Sequence, residues 1–147
     1  MTKNINKLNS RLKISPMKKY YNLGKKVLFP ICRSLTGFGI RKTLKIIKKE
    51  FPKLKIKSIK SGTKVFDWNV PAEWNVSDAY VLDKNGLKII DFKKNNLHLI
   101  GYSTPLKKTL TKKDLFKNLH FLKKQPHAIP YVTSYYKKRW GFCVSFN

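Results

Sequence analysis

Three histidines, two cysteines and seven acidic residues are the side chains here that could do acid–base, nucleophilic or metal chemistry. His98, His120 and His127 form no His-Glu-x-x-His pair and stand at no zinc-finger spacing from a cysteine. His98 sits between Leu97 and Leu99 in a strand pattern, His120 falls on a short predicted helix, and His127 follows Pro126 in a loop. They read as surface or locally hydrogen-bonded residues. Cys143, in Gly141-Phe142-Cys143-Val144, alternates with apolar residues and has no sequence-linked base, which a thiolate nucleophile requires. Cys32 reads the same way. Asp67, Glu73, Asp78, Asp83 and Asp91 show no paired-carboxylate signature, and Asp83 is better read as a turn residue. Gly37-Phe38-Gly39 lacks the third glycine and the Lys-Ser of a phosphate cradle. No catalytic residue and no metal ligand is assigned from these patterns.

Aromatic residues give a second kind of chemistry. Trp68, Trp74, Tyr135, Tyr136 and Trp140, with Lys137, Lys138 and Arg139 interleaved, have the makings of a surface that stacks on bases or sugars. Trp140 alternates with Phe142 and is expected in the core. Arg33, Tyr135, Tyr136 and Arg139 are the expected binding edge.

Positioning these groups falls to a mixed set of elements. Lys18 to Arg33 suggests a first helix that bends or restarts at Pro30. Ile40, Leu44, Ile47 and Phe51 describe an amphipathic helix, with Thr36 available to cap it and Pro52 ending it. The period then changes to two. Leu54 and Ile56 predict a strand, Ser61-Gly62-Thr63 a turn, and Phe66, Trp68 and Val70 a strand closed by Pro71. Ala79–Leu82 and Leu87–Phe92 flank Asp83-Lys84-Asn85-Gly86 as a hairpin, Asn-Gly being suited to the positive φ angles of a tight turn, and a short strand follows from Leu97 to Tyr102. Thr111 to Asp114 resembles a capping box, opening a helix through Leu115, Leu119 and Leu122 to Lys124. Trp140, Phe142, Val144 and Phe146 share one face of a terminal strand. The expected fold class is α+β.

A chain of 147 residues with 41% apolar residues suffices for one packed domain. The longest apolar run, Val27 to Cys32, is far short of a membrane span, and the N-terminus lacks the apolar segment of a secretory signal. With no disulfide framework, a cytoplasmic protein with reduced thiols is expected. The net charge of +26 divides as +18 over residues 1–64 and +8 over residues 65–147. That field favours nucleic acid or an anionic surface. However, 29 of the 33 basic residues are Lys, and 11 Asn and 12 Ile accompany them, as A/T-rich codons would give. Planar bidentate recognition of phosphates and bases favours Arg instead.

The residues then combine into a longer pattern. Leu28-Phe29-Pro30-Ile31-Cys32-Arg33-Ser34-Leu35-Thr36-Gly37, Ser61 to Trp68 through Pro71, Asp78-Ala79-Tyr80 and Ile90 to His98 belong to it. So do Gly101-Tyr102-Ser103-Thr104-Pro105, Ile129 to Tyr136, and Arg139-Trp140-Gly141-Phe142-Cys143. Over residues 24–146 the chain resembles the N-terminal part of a prokaryotic aminopeptidase-like family, formally of unknown function and often encoded among surface-polysaccharide genes.

That resemblance implies a zinc aminopeptidase-like domain carrying an inserted small β-rich domain. It divides the chain into a flexible basic arm (1–15), N-terminal helices of the peptidase-like domain (16–52), the inserted domain (53–136) and the start of a truncated peptidase-like core (137–147). The family's metal ligands lie beyond the Arg139–Cys143 motif. The resemblance therefore implies zinc only in full-length members, no cofactor in this chain, and inactivity alone as a hydrolase. The expected function is a truncated or split, non-catalytic, structural or substrate-covering module whose partner is a separately encoded C-terminal peptidase half. The alternative is a stand-alone basic module binding nucleic acid or anionic polysaccharide.

Overall fold

The computed structural model describes residues 15–147, so nearly all of the expected basic arm lies outside the described residues. The described residues form two compact units, divided between Cys32 and Arg33. In the first, α1 (Pro16–Asn22) begins at Ser15, whose hydroxyl accepts a hydrogen bond from the Lys18 amide, and Pro16 occupies the first turn. A π-helical stretch, Leu23–Leu28, continues it, closed by the Phe29 amide on the Gly24 carbonyl at 2.8 Å. The helix ends before Pro30, which has no amide hydrogen to continue it.

The second unit opens with α2 (Phe38–Glu50). Ile40, Leu44 and Ile47 are half-buried along one face, while Arg41, Lys42, Lys45, Lys48 and Lys49 are exposed. The chain turns out of helix at Phe51-Pro52, where the sequence places the stop. Thr36 does not cap α2. Gly37 holds that position at φ 101°, and the Phe38 amide donates instead to Asn75 Oδ1 at 2.7 Å.

Three two-stranded pairings follow. β1 (Lys64–Val65) and β2 (Trp68–Asn69) form a tight hairpin whose two-residue turn is Phe66-Asp67. Alternation places Phe66 inside a strand, yet it sits at φ 52° and is 91% exposed, because the chain reverses there. Leu54 and Ile56 form no strand; the chain runs past them without ladder hydrogen bonds.

β3 (Tyr80–Leu82) and β4 (Lys88–Asp91) form the expected antiparallel hairpin. Gly86 alone of its loop has a positive φ, 81°. Asp83 Oδ1 accepts from the amides of Asn85 (2.9 Å) and Leu87 (2.8 Å), and the register shifts beside Leu82. The Asp83–Gly86 loop is thus closed by the aspartate side chain, and of the Asn-Gly pair Gly86 alone takes the positive φ.

The expected strand at Leu97–Tyr102 is a 3-10 turn, Asn96–His98, followed by single bridges at Leu99 and Gly101. Half of the capping box forms: Thr111 Oγ1 accepts from the Asp114 amide at 3.1 Å, while the Asp114 carboxylate takes the Thr111 hydroxyl (2.8 Å) rather than its backbone N–H. The helix it opens, α3 (Lys112–Phe116), is much shorter than the leucine spacing suggests. The chain leaves it to build β5 (Leu119–His120), so His120 lies on a strand. β5 pairs in parallel with β6 (Phe142–Cys143), and Leu99 bridges to Phe142 from the other side in antiparallel fashion. The core lies here: Ile100 and Cys143 are fully buried, and Ile90 is nearly so. The architecture is α+β, with helices and short two-stranded pairings joined by ordered loops.

Candidate functional site

The densest cluster of chemically capable side chains is a row of aromatic rings beside this core. Trp74 stacks on Tyr102 at 5.6 Å between centroids, Tyr102 on Tyr135 at 5.2 Å, and Tyr135 on Tyr136 at 6.2 Å. The interplanar angles, 19°, 28° and 30°, make these offset stacks, the arrangement that ring quadrupoles prefer over a face-to-face sandwich.

Backbone geometry holds the row. The Gly101 amide donates to the Val132 carbonyl (2.8 Å), and the Ser134 amide donates to the Gly101 carbonyl (2.9 Å). Ser134, buried, directs its hydroxyl at the carbonyls of both Gly101 and Tyr102. Two turns project the rings. Tyr102 is the second central residue of the turn closed by the Ser103 amide on the Ile100 carbonyl, at φ 63°. Tyr135 is the first central residue of the turn closed by the Lys137 amide on the Ser134 carbonyl, at φ 38°. Both positions normally take glycine or asparagine, and a bulky residue there is strained by about 1–3 kcal/mol.

Three of the four polar tips, those of Trp74, Tyr102 and Tyr136, are engaged. The Trp74 indole N–H donates to the Ser103 carbonyl at 3.0 Å, and the Tyr136 hydroxyl donates to the Asn69 carbonyl at 2.6 Å. The Tyr102 hydroxyl lies 2.9 Å from Thr36 Oγ1, which also reaches the Ala72 carbonyl. Burial, reinforced by the nearby Tyr131, Tyr102 and Tyr136 phenols, pushes the Tyr135 hydroxyl above its usual pKa. Beside Trp74, the Glu73 carboxylate takes both Arg41 nitrogens, which hold it below the usual carboxylate range, and Arg41 lies over the Phe38 ring at 4.9 Å.

Tyr135 and Tyr136 of the expected edge are therefore neighbours in one row. Arg139 donates to the Thr133 carbonyl at 3.0 Å, on the same stretch of chain. Arg33 is exposed ahead of the Ser34–Gly37 loop, while the hydrogen bonds that fasten the rings come from Ser103, Asn69 and Thr36. Trp140 meets Phe142 edge-on at 6.5 Å, on the core side. Sequence reasoning does not single out Tyr102 as a stacking residue, although it is the middle of the row. The only signal for it is its place in Gly101-Tyr102-Ser103-Thr104-Pro105, a turn-rich segment with one large ring.

The candidates for acid–base and metal chemistry are dispersed. His98 Nδ1 lies 2.8 Å from the Cys143 carbonyl, and His127 Nδ1 lies 3.4 Å from Asn147 Nδ2. Burial, with the Arg139 charge, lowers the His120 pKa. Burial pushes the Cys143 thiol up to about 11, the opposite of nucleophile activation. Among the described residues no three His, Cys, Asp or Glu side chains gather to hold a metal ion, so these residues do not fit a zinc centre. Nor is any described helix long and apolar enough to cross a membrane.

Comparison with known proteins gives this arrangement a context. Over 127 residues, 86% of its length, the chain is 56% identical to a Clostridium acetobutylicum protein. That relative is provisionally named a polysaccharide biosynthesis protein with aminopeptidase-like domain, and the match covers 29% of it. A crystal structure at 2.37 Å resolution of a protein from the same organism, provisionally titled a peptidase, superposes with a TM-score of 0.83 at 55% identity. The match covers 87% of this chain and 30% of that one, so the chain spans about three-tenths of the length of its relatives. Residues 73–147, just over half the chain and including all four rings of the row, match the model of the Domain of unknown function (DUF2172). The chain belongs to the DUF2172 family.

Proposed function

We propose that the chain is a non-catalytic module of a zinc aminopeptidase-like protein, working as a structural or substrate-covering part beside a peptidase half outside these residues. The supporting observation is the 56% identity to a relative named for an aminopeptidase-like domain, over only 29% of that relative's length. The dispersal of histidines and the raised Cys143 pKa support the same reading, since a hydrolase needs an assembled metal centre or an activated nucleophile. Residues 16–52 and 137–147 are then parts of the peptidase-like domain, and 53–136 the inserted one. β6 lies at the border, hydrogen-bonded to β5. The relative's name also sets a carbohydrate context, so the covered substrate belongs with polysaccharide chemistry.

Zinc titration by calorimetry together with an aminopeptidase assay tests this. The 147-residue chain alone is expected to give neither stoichiometric tight zinc nor turnover. Adding a peptidase half produced from the part of the relative that this chain does not match is expected to give both. Tight zinc with turnover by the chain alone would sink the proposal.

A further inference from the structure

The aromatic row ends in an open face. Tyr136 is the last ring, 62% exposed, with its inner face against Tyr135 and its hydroxyl fixed on the Asn69 carbonyl. That hydrogen bond joins two turns of the same unusual kind. In the β1–β2 hairpin Phe66, and in the Ser134–Lys137 turn Tyr135, put an aromatic residue at a first central position with positive φ. Of the described residues, the non-glycine ones with positive φ are Phe66, Tyr102 and Tyr135, all aromatic. Each belongs to the row or to the hairpin fastened to it. Glycine would relieve the backbone at every one of them, so what the strain retains is the ring itself. Phe66 is 91% and Tyr131 72% exposed, which leaves apolar ring surface in water around a rigid platform. Lys137, Lys138 and Arg139 follow Tyr136 directly and are exposed.

From this geometry we infer that Tyr136 and its neighbours form a carbohydrate platform for an acidic glycan. A pyranose ring lies on the outer face of Tyr136 and extends the stack, and its carboxylate meets Lys137 and Lys138. The tied hydroxyls of Tyr102 and Tyr136 matter: the platform offers flat apolar surface with little freedom left to lose on binding, which suits the C–H face of a sugar. Charge complementarity selects an anionic ligand over a neutral one. A glycan is favoured over nucleic acid because the cations beside the platform are mainly lysines, point charges without the bidentate fork that base edges recruit. The inference rests on the carbohydrate context of the proposed function, but its test is independent of zinc and turnover.

The test is NMR titration of the full 147-residue chain with short oligogalacturonate, malto-oligosaccharide and oligothymidylate as probes. Oligogalacturonate is expected to give saturable shifts in the aromatic and amide signals of Tyr135 and Tyr136. Malto-oligosaccharide is expected to bind at least about 10-fold more weakly. Tyr136→Ala should weaken oligogalacturonate about 10-fold or more, the loss of one stacking ring. Tyr136→Phe, which keeps the ring, should stay within about 3-fold. Because Tyr136→Ala loosens the hairpin as well, the exposed pair K137Q/K138Q provides the second variant. It should weaken oligogalacturonate several-fold and flatten its salt dependence. Three results would each overturn the inference: no shifts at the row, equal binding of the neutral probe, or tighter binding of oligothymidylate at these residues.

Discussion

At the scale of single residues, close approach decides more than chemistry does. Gly37 is held at φ 101°, and a Cβ there would stand 2.5 Å from the Trp74 carbonyl oxygen and 2.6 Å from Asn75 Oδ1. Steric strain and an unfavourable dihedral then add. Gly37→Ala is expected to destabilise the chain by more than about 2 kcal/mol in urea unfolding. The equivalent change at Gly62, where φ is 84° but nothing lies within 4 Å, should cost only about 1 kcal/mol. Cys143 makes the second residue-scale prediction. Fully buried, with its thiol pushed up to about 11, it should resist alkylation at neutral pH until the chain unfolds. Half-buried Cys32 should react first, and mass spectrometry of the modified peptides distinguishes the order. The inertness of Cys143 is legible from its alternation with apolar neighbours. The importance of Tyr102 is not, because a lone tyrosine in a turn gives no sign that two further rings will close on it.

At the scale of elements, local interactions are readable and distant ones are not. The β3–β4 hairpin carries its instructions within twelve residues, Tyr80 to Asp91, and α2 declares itself by periodicity and by Pro52. Phe66 shows the opposite case: alternating apolar residues fit a strand equally well when the chain reverses in their middle. Leu119 and Leu122 continue a helical spacing, but Phe142 and Cys143 claim the backbone of Leu119 and His120, a pairing no local pattern encodes. The hairpin also makes a pH prediction. Lys93 at 3.0 Å, and then the Lys88 charge, hold the Asp78 carboxylate below the usual aspartate range. A folded-state pKa below the unfolded one adds stability above about pH 4, which is lost as pH falls through the lowered value. Protection of the β3 and β4 amides, measured relative to the intrinsic exchange rate at each pH, should therefore fall below about pH 4. Asp78→Asn should remove that dependence and leave the hairpin equally, if less, protected at every acidic pH.

At the scale of the whole molecule, charge outweighs every other feature of the surface. A net charge of +26 with seven acids leaves most cations facing one another across solvent rather than paired. Self-repulsion of this kind weakens the compact state and is screened once the Debye length falls to about 10 Å at 0.1 M salt. The melting temperature is expected to rise as sodium chloride increases from low millimolar to that range, and a flat or falling response would contradict it. Composition makes this legible, whereas the placement of the core cannot be foreseen from it, since that depends on long-range pairing.

The parallel partnership of β5 with β6 has a consequence for the order in which the fold can be made. Leu99, Leu119 and Phe142 are adjacent in space, but more than forty residues of chain separate the first from the last. Each such closure costs entropy before any burial repays it. On a ribosome, α2 and the β3–β4 hairpin can settle as they emerge. Ile100 must wait with its apolar surface open until Cys143 has cleared the exit tunnel. The interval between those two events is when this chain is most exposed to misfolding and to chaperones.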